Sequence, residues 1–318
     1  MSNSTIWEIL DTAEKRYGSE EAVRYRVSKD GIEAKTYAQL KQDSDHFSSV
    51  LRELGELGNH IAITGMTSYT WITAFLGVTG SGCVAVPLDV SLPAEEMCEL
   101  IHRSDATVLV LDEIRSDVGV MVQERCPKIR YVLSMQKEKA EGGMESFWEL
   151  VNAQKGGLDH RPKPEDLCTI MFTSGTTGKS KGVMLTQRNI AENATCLDMK
   201  FPERTVILSV LPIHHAYCLS MDIIKGISLG SVICINDSLM HMAKNMKIFQ
   251  PDMILMVPLM IETLAKKLEA AEGLPPEAVR QQVFGENLHT ICSGGAYLNP
   301  DYIDLFEKYG IRIQQGYG

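Results

Sequence analysis

Apolar residues at Ile6, Ile9, Leu10 and Ala13 recur at helical spacing and predict a helix with one buried face near the start of the chain. A second helix is predicted from Thr36, where Thr36 and Gln39 fit a capping box and the apolar line runs through Leu40, Phe47, Val50, Leu51 and Leu54. Short β-branched runs then alternate with amphipathic stretches. Strands are predicted at 60–64, 83–86, 107–111 and 129–133, with helices opening at Ser68 and Pro93. Such alternation predicts βαβ units around a buried parallel sheet. A polar stretch with Gly and Pro, 154–166, reads as a surface loop. A second alternating series follows, with strands expected at 167–172, 206–210, 231–235, 252–257 and 288–292. The expected class is α/β, two packed α/β lobes with mostly parallel sheets. Residues 59–199 would form one lobe, and 1–58 with 200–318 the other.

Charge narrows the function. A net charge of -10 argues against a surface that grips nucleic acid or anionic lipid, so any basic site is local. Eight cysteines are scattered through apolar runs such as those of Cys83, Cys168, Cys234 and Cys292, which predicts buried free thiols in a reducing compartment. The N-terminus lacks a basic flank followed by an apolar run. The longest uncharged stretch, Ile72 to Val86, falls short of the ~20 apolar residues of a membrane span. A cytoplasmic location is expected.

The most informative stretch follows the strand predicted at 167–172: Thr173, Ser174, Gly175, Thr176, Thr177, Gly178, Lys179, Ser180, Lys181, Gly182. Three glycines let consecutive N–H groups turn toward one anion, while hydroxyls and two ammonium groups add donors, the chemistry of a polyphosphate cradle. A Walker A loop is excluded because that pattern needs a glycine five residues before Gly178, where Thr173 stands. Further along, LPIHHAY places His214 and His215 after a strand. CSGGAYLNP places Gly294, Gly295, Ala296 and Tyr297 between a strand and a helix, and the chain ends on Gln315, Gly316, Tyr317 and Gly318.

TSGTTGKSKG resembles the phosphate loop of the adenylate-forming superfamily of acyl-CoA synthetases, luciferases and peptide-synthetase adenylation domains, and the other elements match in the expected order over nearly the whole chain. Ser180 stands where the family usually has proline, and Tyr297 replaces another. The resemblance implies the large N-terminal domain of such an enzyme, truncated before its magnesium-binding glutamate and C-terminal lysine. It implies ATP and Mg2+ as cofactors, a carboxylic acid substrate, and coenzyme A or an acyl carrier protein as acceptor. Lys181 and the residues Thr173 to Lys179 with Gly182 would hold the phosphates, Thr173 would touch the metal, and His215 would border the carboxylate. Gly294, Gly295, Ala296, Tyr297, Gln315, Gly316, Tyr317 and Gly318 would line the adenine. Amino-acid-activating relatives place an aspartate in the histidine element; here no carboxylate occurs until Asp222, so a fatty or other non-amino acid is favoured. An apolar wall of Val210, Leu211, Val257, Leu259 and Met260 is expected beside His215. A catalytically silent adenylate-binding domain is the rival. A chain of this extent is expected to fold and to bind ATP, but to form adenylate poorly.

Overall fold

The computed structural model describes residues 4–28, 31–157, 160–173, 180–196 and 201–316. Its first helix, α1 (Ile6–Tyr17), buries Ile6, Ile9, Leu10 and Ala13, and Thr5 closes a capping box with Glu8. A strand pair follows, β1 (Glu21–Arg26) and β2 (Ile32–Thr36), then α2 (Tyr37–Glu53), whose capping box joins Thr36 and Gln39 as expected. Next come β3 (His60–Thr64), α3 (Tyr69–Gly80) capped by Ser68, β4 (Val84–Leu88), α4 (Ala94–Arg103), β5 (Ala106–Leu111), β6 (Tyr131–Ser134) and β7 (Glu145–Ser146). The remaining strands are β8 (Leu167–Thr173), β9 (Lys181–Thr186), β10 (Val206–Ser209), β11 (Val232–Ile235), β12 (Met253–Met256), β13 (Thr290–Ser293) and β14 (Arg312–Gln315).

Two seven-stranded, mostly parallel sheets result, so the expected α/β class holds. One runs β14-β13-β12-β10-β11-β1-β2 and the other β7-β6-β5-β3-β4-β8-β9. The first thus combines residues 21–36 with residues 206–315, because β1 joins β11 in parallel with Val23 opposite Ile233. Among the described residues, only two pairings within these sheets are antiparallel, β1 with β2 and β8 with β9. The strand boundaries shift by one or two residues: β4 begins one residue later than 83–86 and runs to Leu88, β6 occupies 131–134 and β13 290–293, while the β1–β2 pair, β7 and β9 were absent from the expected set.

Side-chain alternation explains how one sheet serves two cores. In β3 and β5, Ile61, Ile63, Val108 and Val110 face a core shared with the other sheet and with α1, α2 and α3. Ala62, Leu109 and Leu111 point the other way, under Met97, Ile101 and Val118 of the outer helices. This is the period-two pattern of a sheet covered on both faces. The α2–α3 crossing is close because Gly77 has no side chain: a Cβ there would lie 2.8 Å from the Ser44 carbonyl oxygen. All eight cysteines are free, and only Cys196 is exposed. Among the described residues no helix is long and apolar enough to cross a membrane.

Candidate active site

Parallel α/β sheets collect ligands beyond the carboxyl ends of their strands. The sequence-selected residues lie there on both sheets. In the second sheet, β8 and β9 form a hairpin in which Thr173 pairs with Lys181 and Phe172 with Gly182. Thr173 and Lys181 therefore face each other at the open end, both exposed. The six residues Ser174, Gly175, Thr176, Thr177, Gly178 and Lys179 lie outside the described residues. Lys181 has no ion pair among the described residues, so its charge is available to an anion. Gly182 is required by packing: a Cβ would come within 2.9 Å of Ile170 Cγ2. At the base of the loop, Arg103 Nη2 donates to the Ser180 carbonyl at 2.7 Å, while its guanidinium lies 5.6 Å from the Phe172 ring centroid.

The histidine element follows β10. His215 caps the short turn Ala216–Cys218 with extended backbone, and its carbonyl accepts from Leu219 N–H. The His215 ring is exposed and lies 4.3 Å, centroid to centroid, from that of His214. His214 turns inward, and its Nε2 reaches to 3.6 Å from Oδ2 of Asp89, just after β4. Burial pulls His214 down to about 4, outweighing the attraction of Asp89, so the imidazole is neutral at pH 7. The contact is accordingly one between a carboxylate and a neutral ring rather than an ion pair. Partial burial would raise Asp89, but hydrogen bonds from Ser91 N–H and hydroxyl hold its carboxyl below the ordinary range. This contact sets the end of β4 against the loop after β10, so the carboxyl edges of the two sheets face each other.

The turn after β13 is tied to the histidine element by Tyr217. Its hydroxyl donates to the Cys292 carbonyl at 3.4 Å, and its ring occupies the space a side chain at Gly294 would need, 3.0 Å from the Cβ position. Gly295 has φ +83, open only to glycine without strain. Ala296 and Tyr297 are exposed, Tyr297 at 82%. Gly316 N–H donates to the Ser293 carbonyl at 2.8 Å, which places Gln315 and Gly316 beside the same turn. Tyr317 and Gly318 lie outside the described residues.

Of the apolar set, Val210 and Leu211 are buried, Val257 and Met260 half-buried, and Leu259 is 71% exposed. Asp222 is fully buried in a π-helical stretch, Leu219–Ile224, with Cys218 Sγ 3.7 Å from Oδ2 and no partner for Oδ1. Burial pushes its carboxyl up to about 7. Sequence reasoning missed Asp89, Arg103 and Tyr217; the position of Asp89 directly after a buried strand is the one signal that could have marked it. Among the described residues no group of three His, Cys, Asp or Glu side chains could hold a metal ion.

Comparison with known proteins gives this geometry a context. The family model described as AMP-binding enzyme matches residues 10–318. The chain is 29% identical over 257 residues to the long-chain-fatty-acid–[acyl-carrier-protein] ligase AEE15, chloroplastic, of Arabidopsis thaliana, covering 72% of this chain and 34% of that protein. It is 26% identical over 314 residues to a crotonobetaine/carnitine–CoA ligase of Escherichia coli, covering 95% of this chain and 58% of that one. The chain thus spans between a third and three-fifths of these relatives. In fold it is similar to the inhibitor-bound N-terminal domain of FACL13 from Mycobacterium tuberculosis, with a TM-score of 0.83 at 20% identity, over 99% of this chain and 75% of that domain.

Proposed function

This chain belongs to the AMP-binding enzyme family, and we propose that it serves ATP-dependent activation of a carboxylic acid, followed by transfer of the acyl group to the thiol of coenzyme A. In the first step a substrate carboxylate oxygen bonds to the α-phosphorus as the bond to pyrophosphate breaks. In the second, the thiol sulfur attacks the acyl carbon, AMP leaves, and the thiol proton passes to solvent. Such chemistry depends on positioning and on neutralising charge.

The observation that carries the reading is the hairpin that sets Lys181 opposite Thr173, with the ammonium unpaired among the described residues. In this reading Lys181, the loop from Thr173 and Gly182 hold the polyphosphate of ATP. The adenine lies along Gly294 to Tyr297 and beside Gln315 and Gly316, with Tyr317 and Gly318 next in the chain. His215, exposed at the start of its turn, borders the carboxylate. Among the described residues no cluster of His, Cys, Asp and Glu side chains forms a metal site.

A substrate without an amino group fits the charges at hand. Asp222 is buried and pushed up to about 7, and Asp89 is taken by Ser91, so neither offers a free counter-charge to an ammonium. Transfer to a carrier protein is a second reading, motivated by the similarity to the carrier-protein ligase. Pyrophosphate exchange across straight-chain, aromatic and amino acids, with coenzyme A or a carrier protein as acceptor, tests both. ATP binding measured by calorimetry is expected to weaken about tenfold or more in Lys181→Ala, since a charge-assisted contact is lost. Unchanged affinity in that variant, or exchange restricted to amino acids, would overturn the reading.

A further inference from the structure

A cavity of about 620 Å³ lies where the carboxyl ends of β1 and β11 meet those of β3 and β6. None of the residues that line it belongs to the candidate active site. Its volume is within the roughly 300–1,000 Å³ usual for small-molecule sites.

One wall is a ladder of three rings. Tyr25 and Tyr69 stack at 6.0 Å and 15°, and Tyr69 and Trp148 at 5.9 Å and 3°. Every polar tip of the ladder is already engaged. Tyr25 donates to Glu33 at 3.0 Å, Tyr69 to Asp43 at 2.6 Å, and Trp148 Nε1 to the Thr70 hydroxyl at 3.0 Å. These bonds fix the rings; Tyr69 is buried between its two neighbours, while Tyr25 and Trp148 are half-buried and line the cavity. Met66 and Met135 supply thioethers to the same lining, groups that pack well against a flat ring.

Two charged groups of the lining, Asp43 and Lys35, have no ion-pair partner among the described residues. Arg26 lies 3.6 Å from Asp237 and bonds Asn245, while Asp237 also accepts from Asn245 at 2.6 Å and lies 2.7 Å from His241. Asp43 takes the Tyr69 hydroxyl. Lys35 has no carboxylate within ion-pair distance among the described residues, and its ammonium sits 5.6 Å from the Tyr69 ring centroid.

We propose that this cavity is a second binding site, for a flat aromatic ring bearing one anionic group, with the ring packed in the slot lined by the Tyr25–Tyr69–Trp148 ladder and the two methionines and the anion on Lys35. Because Tyr25 belongs to one sheet and Tyr69, Met66 and Met135 follow strands of the other, the ligand spans both lobes.

The probe is 2-naphthoate, titrated by calorimetry with the neutral 2-naphthylmethanol and the flexible anion decanoate alongside. We expect naphthoate to bind at least about tenfold more tightly than either control, because each control removes the charge contact or the stacking. Lys35→Gln should weaken it about tenfold or more and Lys35→Arg restore it, with far-ultraviolet circular dichroism checking that each variant is folded. Lys181→Ala and saturating ATP should leave naphthoate binding unchanged. Binding absent at millimolar probe, indifferent to Lys35→Gln, displaced by ATP, or equally strong for decanoate would each overturn the proposal.

Discussion

Replacing Asp222 by Asn should change how stability depends on pH by an amount that follows from burial. The Asp222 carboxyl is sealed in the core with Oδ1 unpartnered, and its pKa rises from 3.8 to about 7. Between those values the unfolded chain has released its proton while the folded chain keeps it. The unfolded state then binds fewer protons, so stability falls as pH rises, at about 1.4 kcal/mol per pH unit. The full contribution is present below 3.8, drains away through the window and is gone above about 7. Over that window the loss amounts to about 4 kcal/mol, a large fraction of the net stability of an ordinary domain. Asn carries no proton to lose, and every other titration is common to both proteins. Urea unfolding of the two at about pH 4, 5.5 and 8 isolates the effect, because the constant cost of placing an amide in the site cancels between pH values. The variant should gain about 4 kcal/mol on the parent from the lowest to the highest pH. A difference that stays flat within about 1 kcal/mol would refute the inference that the carboxyl is held neutral by burial.

Three further outcomes are expected. Gly182→Val, which forces a Cβ to 2.9 Å from Ile170, should cost about 1–3 kcal/mol in urea unfolding and weaken ATP binding, because it distorts the hairpin that presents Lys181. Gly295→Ala, at φ +83, should cost about 1–2 kcal/mol, read as a lower Tm. Arg103→Ala removes the bond to the Ser180 carbonyl; calorimetry should show ATP affinity reduced several-fold while stability changes by about 1 kcal/mol or less.

Much of the α/β framework was legible because its strands are buried on both faces and so read as continuous apolar runs, as in Ile61 to Ile63 or Val108 to Leu111. Helix starts were legible for a local reason: Thr36 with Gln39 and Ser68 cap their helices through bonds spanning three residues. The β1–β2 pair was not. Of its residues only Ala22 and Val23 are buried, so no apolar alternation marks it, and it exists because β11 offers it an edge. β9 escaped for the same reason, with Lys181 to Met184 exposed and held by β8. In the candidate site, glycines and cations announced themselves, whereas Tyr217 and Asp89 matter through contacts with Gly294 and His214 that no spacing encodes. The π-helical stretch that buries Asp222 has no sequence signature that we can identify.

The joining of β1 to β11 fixes an order of events during synthesis. Strands β3 to β9 lie within residues 60–186 and can complete their sheet as soon as that segment has left the ribosome. Val23 must wait for Ile233, so the first strand pair made is among the last to be housed. Until then it exposes an unpaired backbone edge and the apolar side chains of Ala22 and Val23, the kind of surface that nascent chains hide with chaperones or lose to aggregation. Interruption of translation between these two points would therefore release a chain with one finished lobe and one adhesive end.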